Sequence, residues 1–134
     1  MSSVPRNPAA AAARPKYYDL NLLNLPMPGL VSIFHRVTGV VLFLFAIPLV
    51  LFLLQSTLVS ESKFDFWRNI INLPLVKIVL LGFVWAYMHH FFAGIRYLFL
   101  DLHIGIALAP ARLSAKLVLV AGALATLLLG VRIW

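Results

Sequence analysis

The sequence contains no cysteine, and only four of its 134 residues are acidic. The absence of cysteine excludes disulfides, thiolate-ligated iron–sulfur clusters and covalent haem attachment through a C-x-x-C-H motif on this chain. Charged residues of both signs make up only 11% of the sequence, which is too few to cover a normal solvated surface. The chain is therefore not expected to be a water-soluble globular domain.

Apolar side chains take the place of the missing charges. They make up 63% of the sequence, against about 45–50% in a typical soluble domain. The formal net charge is +7, which in a soluble protein would suggest a nucleic-acid partner. Here the basic residues lie mostly in the N-terminal tail and near the ends of apolar runs, which is typical of membrane topology. The composition predicts a membrane protein that contacts lipid and no nucleic acid.

Three long apolar runs follow a polar, Ala-rich tail. They predict transmembrane helices at about residues 30–55, 74–101 and 112–133, because each run meets the roughly 20 residues that a helix needs to cross the hydrocarbon core. Helix is required because backbone in lipid must satisfy its hydrogen bonds internally. The expected organisation is a flexible tail, residues 1–28, followed by a three-helix transmembrane domain, residues 29–134. The predicted fold class is an all-α membrane protein with three transmembrane helices.

Prolines and one tryptophan predict further features of the helices and of the loop between the first two. Pro28 and Pro74 stand near the predicted starts of the first two helices, where a missing N–H costs little, and Pro110 stands just ahead of the third. Pro48 lies inside the first helix and is expected to kink it. In the loop between the first two runs, Trp67 fits either a short interfacial helix or an ordinary polar loop.

The distribution of lysine and arginine predicts an orientation. Seven of the eleven basic residues lie in the N-terminal part or around the second loop. The positive-inside rule then places the N-terminus and the second loop in the cytoplasm of a bacterium, or in the matrix of an organelle. The short Ala-rich tail favours the inner membrane of a bacterium over that of a mitochondrion.

The first polar cluster is the stretch "SIFHRVTG", near the start of the first apolar run. Ser32, His35, Arg36 and Gly39 fall at i, i+3, i+4 and i+7 and so share one helix face. An ionisable residue inside a membrane helix is costly and predicts a function. In the structural alternative, the hydroxyls bond their own backbone and Arg36 extends to the lipid headgroups. The spacing leaves both interpretations open.

The second polar cluster is the stretch "HHFFAGIRYLFLD" of the second apolar run. His90, Gly94 and Tyr97 share one face, whereas His89 lies on a neighbouring face. A neutral imidazole in a dry groove is a good axial ligand for haem iron, and a glycine one turn on leaves room for a flat cofactor. The alternative for a membrane histidine is an interhelical hydrogen bond. The spacing leaves His90 between these two roles and favours the hydrogen bond for His89.

Depth in the membrane connects the two clusters. With the orientation above, His90 lies about 16 Å from the cytoplasmic end of its helix, at about 1.5 Å per residue. A haem bound there would direct its propionates toward His35 and Arg36, and a guanidinium fork suits carboxylates. The same geometry leaves Ser32 beside a pocket on the cytoplasmic side.

Three motifs resemble those of a known family, the cytochrome b-type membrane-anchor subunit of succinate dehydrogenase, respiratory complex II. "RPKYYDLNLL" resembles the N-terminal RP…L segment of that family. "SIFHRVTG" resembles its S-I-x-H-R-x-[ST]-G signature, and "HHFFAGIRYLFLD" resembles its H-x-x-x-G-I-R-[HY]-x-x-x-D signature. The order and spacing agree, so the resemblance covers about residues 14–134. Tyr97 departs from the histidine of many members, and His89 precedes the ligand position, where other residues are common.

The resemblance implies a role for several residues. It makes His90 the axial ligand to the iron of haem b, with the opposite ligand supplied by a second membrane subunit. It places Ser32 and Arg36 at the ubiquinone site, and His35 with Arg36 near the haem propionates. Asp101 matches the aspartate of the family without an implied chemical role, and no residue of this chain is catalytic alone. Arg96 and Asp101 are interpreted as marking the approach of the second helix to the cytoplasmic interface.

The implied function is that of a quinone-reducing membrane subunit within a larger enzyme. The resemblance also implies that the three helices form part of a heteromeric helical bundle. The chain lacks a flavin motif and cluster ligands, so FAD and the iron–sulfur clusters are expected on a flavoprotein subunit and an iron–sulfur subunit. Two alternatives stand beside this interpretation. One is another small b-type cytochrome, with haem held between His35 and His90 of the same chain. The other is a non-redox membrane transporter or helical adaptor.

Overall fold

The computed structural model describes residues 25–134, and this part of the chain is helical without any strand. The helices are α1 (Met27–Thr57), α2 (Glu61–Ile71), α3 (Pro74–Asp101) and α4 (Leu108–Ile133). Of these, α1, α3 and α4 are long and apolar enough to cross a membrane. The prediction of an all-α membrane protein with three transmembrane helices is thus confirmed. Most of the expected tail and the "RPKYYDLNLL" segment lie outside the described residues.

Proline positions explain two features of the helix boundaries. Pro28 lies in the first turn of α1 and Pro74 is the first residue of α3, where the backbone N–H has no intrahelical partner to lose. Helix α4 begins at Leu108, so it includes Pro110 rather than following it. Pro110 is the third residue of that helix, and its missing N–H is one of the four that need no carbonyl partner.

Helix α1 continues through Pro48 by means of a π-helical segment, Leu42–Ala46. The amide of Ile47 donates to the carbonyl of Leu42, five residues back. Proline lacks an amide hydrogen and its ring clashes with the carbonyl four residues earlier. The wider π turn just ahead of Pro48 accommodates both effects, as π-bulges in helices commonly do.

The short helix α2 folds back onto the end of α1. Ser60 caps its N-terminus, since the side-chain oxygen accepts a hydrogen bond of 3.3 Å from the amide of Lys63. The indole Nε1 of Trp67 donates to Ser56 Oγ at 2.8 Å, and its ring meets Phe52 edge to face at 5.6 Å. Of the two interpretations of this loop, the helical one is therefore confirmed, with Trp67 holding it in place.

Helices α3 and α4 pack closely because small residues line their contact. The buried side of α3 carries Ala86, His89, Ala93 and Arg96. On α4, Gly122 lies so close that an added Cβ would be 3.4 Å from the Cα of His89. Packing of this kind replaces the hydrophobic effect as the force between helices in lipid. It also explains why most large apolar side chains of the described chain remain exposed, since they face lipid.

The turn between α3 and α4 is closed by backbone hydrogen bonds. His103 adopts the left-handed conformation, with φ 61°, directly after the helix. The amide of His103 donates to the carbonyl of Leu100 at 2.9 Å, and the amide of Ile104 donates to the carbonyl of Phe99 at 3.0 Å. These two bonds form the Schellman motif, which commonly ends a helix. The chain then reverses through Gly105, whose φ of 78° suits glycine.

Replacement of Gly122 by leucine tests the α3–α4 contact. We expect Gly122→Leu to push the two helices apart, because its side chain would meet the backbone of His89. Overpacking of this kind costs about 1–3 kcal/mol. The midpoint of thermal unfolding of the purified protein in detergent should fall by several degrees. The control is Ala123→Leu, which adds the same side chain to an exposed neighbouring position; an equal fall in both variants would contradict this account.

Candidate functional site

The structure brings His35 of α1 and His90 of α3 into direct contact. Their imidazole rings are stacked, with centroids 4.2 Å apart and planes inclined by 15°. The ring of Tyr97 lies beside His35 on the other side, at a centroid distance of 5.0 Å. Two polar clusters that are 55 positions apart in the sequence therefore form one site, as their predicted depths required.

The hydrogen bonds of His90 determine which of its nitrogens carries the proton. Nδ1 lies 3.0 Å from the carbonyl oxygen of His35 and 3.4 Å from Oγ1 of Thr38. A carbonyl only accepts, so Nδ1 of the neutral ring is the donor. The hydroxyl of Thr38 donates to the carbonyl of Phe34 at 2.7 Å and can offer a lone pair to Nδ1. In the neutral ring Nε2 of His90 is then the nitrogen without a proton, and the hydrogen bonds of this ring to residues 25–134 all involve Nδ1.

Glycine 39 makes room for the ring of His90. A Cβ added at this position would lie 2.9 Å from Cε1 of His90 and 3.4 Å from Nδ1, so no other residue fits without moving the ring. The sequence analysis considered Gly94, one turn after His90, and predicted that it leaves room for a flat cofactor. Gly94 instead faces His35, whose Nε2 would be 3.8 Å from an added Cβ. The close approach at His90 depends on the glycine of the other helix.

His89 is next to His90 in the sequence, but its surroundings in the structure are entirely different. It is completely buried among α1, α3 and α4, stacked on Trp85 at 5.5 Å and edge to face with Phe34 at 5.9 Å. Neither of its ring nitrogens makes a hydrogen bond with the described residues. The sequence analysis favoured an interhelical hydrogen bond for His89, and the described residues supply no partner for it.

Ser32 and Arg36 lie one turn apart on α1, beside His35. Ser32 is half-buried and Arg36 is exposed. No hydrogen bond links either side chain to another residue of the described part of the chain. A hydroxyl and a guanidinium on one exposed helix face can together bind a ligand that accepts hydrogen bonds. The alternative interpretation, in which the side chain of Arg36 extends toward the lipid headgroups, also requires that this side chain be exposed.

The other charged residues of the second cluster have different surroundings. Asp101 is exposed and is the last residue of α3. Arg96 is buried, and its Nε donates to Ser114 Oγ at 3.0 Å, which joins α3 to α4. The sequence analysis assigned Arg96 only to the approach of the helix to the membrane interface. Only the pairing of α3 with α4 reveals its buried position.

The geometry tests the two ways in which these histidines could hold a haem. Axial ligands of one iron must approach opposite faces of the porphyrin. The rings of His35 and His90 are in face-to-face contact, an arrangement that leaves no space for a macrocycle between them and does not favour the alternative with both ligands in this chain. A single ligand from this chain does fit, because His90 offers Nε2 while a backbone carbonyl holds the proton on Nδ1. That is the usual second-shell arrangement of a metal-binding histidine.

Comparison with known proteins gives a consistent result. The sequence matches the family described as "Succinate dehydrogenase/Fumarate reductase transmembrane subunit" over residues 11–129. The succinate dehydrogenase cytochrome b556 subunit of Coxiella burnetii is 36% identical over 124 residues, 92% of this chain and 98% of the relative. The same subunit of Rickettsia bellii is 34% identical, covering 88% of this chain and 91% of the relative. That of Paracoccus denitrificans is 32% identical, covering 81% and 82%.

The match covers both polar signatures and all three membrane helices, and the relatives are similar over almost their full length. The chain belongs to the family of succinate dehydrogenase/fumarate reductase transmembrane subunits.

Proposed function

We propose that the chain is the cytochrome b-type membrane anchor of a succinate:quinone oxidoreductase. In this role it binds haem b together with a second membrane subunit and forms part of the ubiquinone-reduction site. The observation that carries the proposal is the contact between Nδ1 of His90 and the carbonyl oxygen of His35. The His35 carbonyl accepts the Nδ1 proton at 3.0 Å, which leaves Nε2 as a lone-pair donor. The names of the relatives, cytochrome b556 subunits, support the same cofactor.

His90 is the proposed axial ligand on this chain, and the partner membrane subunit supplies the opposite one. Bound in this way, haem b supplies a one-electron redox centre within the bundle. The carbonyl of His35 and the hydroxyl of Thr38 orient the imidazole and increase its basicity. His35 and Arg36 are proposed to lie on the propionate side, because guanidinium and imidazole groups bind carboxylates well.

Ser32 and Arg36 are proposed to bind ubiquinone. Its reduction consumes two electrons and two protons, and the electrons arrive from the iron–sulfur partner subunit. The Ser32 hydroxyl donates a hydrogen bond to a quinone oxygen, and Arg36 stabilises the negative charge that develops there. Both side chains lie one turn apart, and Arg36 is exposed, so one bound ring can contact the two groups.

The proposed location follows from the charges and the relatives. The N-terminus and the α3–α4 loop face the cytoplasm of a bacterium, because most of the lysines and arginines lie on that side. The iron–sulfur subunit and the flavoprotein subunit, which carry FAD and the clusters, dock on this same face. Relatives from Coxiella and Rickettsia support the inner membrane of a bacterium.

The two adjacent histidines provide the first test. We expect His90→Ala to abolish the absorption spectrum of low-spin haem b in the purified complex, because it removes the iron ligand. His89→Ala should retain that spectrum, since His89 is enclosed by Trp85 and Phe34 and offers no nitrogen to the exterior. If the His89 variant lost the haem and the His90 variant kept it, the ligand assignment would be wrong.

The room left by Gly39 provides a second test. Gly39→Ala places a methyl group 2.9 Å from Cε1 of His90 and should displace the ligand ring. We expect a change in the electron paramagnetic resonance signal of the haem and a shift of its midpoint potential on the order of tens of millivolts, since ligand geometry tunes the potential. Gly82→Ala is the matched control, because an added Cβ there meets nothing within 4 Å. An unaltered signal in the Gly39 variant would contradict the proposed packing.

The quinone residues are tested by comparing two activities of the same preparation. We expect Arg36→Ala to lower ubiquinone reduction about 100-fold, as the loss of a group that stabilises developing charge does elsewhere. Ser32→Ala should have a smaller effect in the same direction. Succinate oxidation by an artificial acceptor should remain, because it bypasses the membrane site.

Val37→Ala is the matched control for these variants, since it alters an exposed neighbour on α1 and should leave both activities unchanged. An equal loss of quinone reduction and succinate oxidation in the Arg36 variant would indicate failed assembly and would count against a role in quinone binding.

A further inference from the structure

A groove of about 370 Å³ runs between α3 and α4, on the side of α3 turned away from the histidine site. Phe99, which lines the groove, is nine positions after His90 and points about 180° away from it at about 100° per residue. Ile104 and Gly105 of the turn border its end. A second membrane subunit that completes a haem site at His90 would therefore leave this groove facing lipid.

One wall of the groove carries the buried guanidinium of Arg96. The residue is 7% exposed, and its hydrogen bonds go to neutral partners, to Ser114 Oγ at 3.0 Å and to the carbonyl of Ala111 at 3.4 Å. These bonds use two of the five N–H donors of the guanidinium. No carboxylate among residues 25–134 forms an ion pair with it. A buried cation without an opposite charge is costly, above all in a membrane, so the arrangement calls for an anion.

The remaining lining of the groove is apolar. Deeper in the membrane than Arg96, the groove is bounded by Phe92 of α3 and by Leu117, Val118 and Ala121 of α4. The polar group thus lies toward the turn between the helices, and the hydrocarbon surface continues toward the middle of the bilayer. This is the polarity of a phospholipid, with the phosphate near the interface and the acyl chain below it.

We propose that this groove binds one anionic phospholipid from the leaflet that faces the α3–α4 turn. The lipid phosphate pairs with the guanidinium of Arg96, whose planar fork matches phosphate oxygens, and one acyl chain lies along Phe92 and Val118. Basic pockets between membrane helices are suited to acidic head groups. The site is independent of the haem and quinone roles proposed above, because it uses none of the residues to which those roles are assigned.

Lipid counting on the assembled complex tests this assignment. The complex, purified with its partner subunits and stripped of loosely bound lipid, is incubated with phosphatidylglycerol or with phosphatidylcholine and analysed by native mass spectrometry. The variants are Arg96→Met, which removes the charge, and Ala121→Phe, which fills the groove and leaves Arg96 intact. Arg112→Met is the control, since Arg112 is exposed and does not line the groove.

We expect the unmodified complex and the Arg112 variant to retain one tightly bound phosphatidylglycerol per chain that both groove variants lose. Phosphatidylcholine should not replace it. Three results would each overturn the proposal: equal retention of the two lipids, an unchanged lipid count in the Ala121 variant, or loss of a partner subunit in place of lipid in the Arg96 variant. The last result would show that a protein carboxylate pairs with Arg96. The Ala121 variant keeps the test decisive if Arg96→Met does not assemble.

Discussion

The site depends on how closely α1 approaches α3 at Gly39. The missing side chain of Gly39 is the space that the ring of His90 occupies, and only at this separation does Nδ1 of His90 reach the carbonyl of His35. Stacking with His35 and the contact with the buried Thr38 follow from the same approach. In a membrane, where no hydrophobic effect drives helices together, such local fit between small and large groups determines which surfaces meet.

Two neighbouring faces of α3 carry out different tasks because successive residues of a helix are rotated by about 100°. The face of His89, Ala93 and Arg96 packs inside the chain. The adjacent face presents His90 to α1 and leaves one nitrogen available. This division explains how one helix can both form the packing core of the chain and line the site where His35 and His90 meet. The adjacent histidines are therefore chemically alike but structurally distinct.

Hydrophobic length alone predicted the three membrane helices, because lipid permits few backbone structures. The depth of the two polar clusters in the membrane also predicted that His35 and His90 lie close together, as they do. The sequence did not predict which particular residues of different helices contact each other. The room for His90 comes from Gly39 on another helix and not from Gly94 nearby. Arg96 looked like an interfacial cation until the pairing of α3 with α4 showed its contact with Ser114. Such contacts depend on how two helices are rotated against each other, which periodicity within one helix does not determine.

The π segment at Leu42–Ala46 has a consequence for how α1 is divided. A π turn holds one residue more than an α turn, so it rotates everything downstream by about 100° relative to an uninterrupted helix. The first half of α1 carries Ser32, His35 and Arg36, and the second half holds α2 through Ser56. The extra residue of the π turn therefore determines how these two halves are rotated relative to each other about the helix axis. The first half can keep its orientation toward His90 while the second keeps its orientation toward α2, although both belong to a single continuous span.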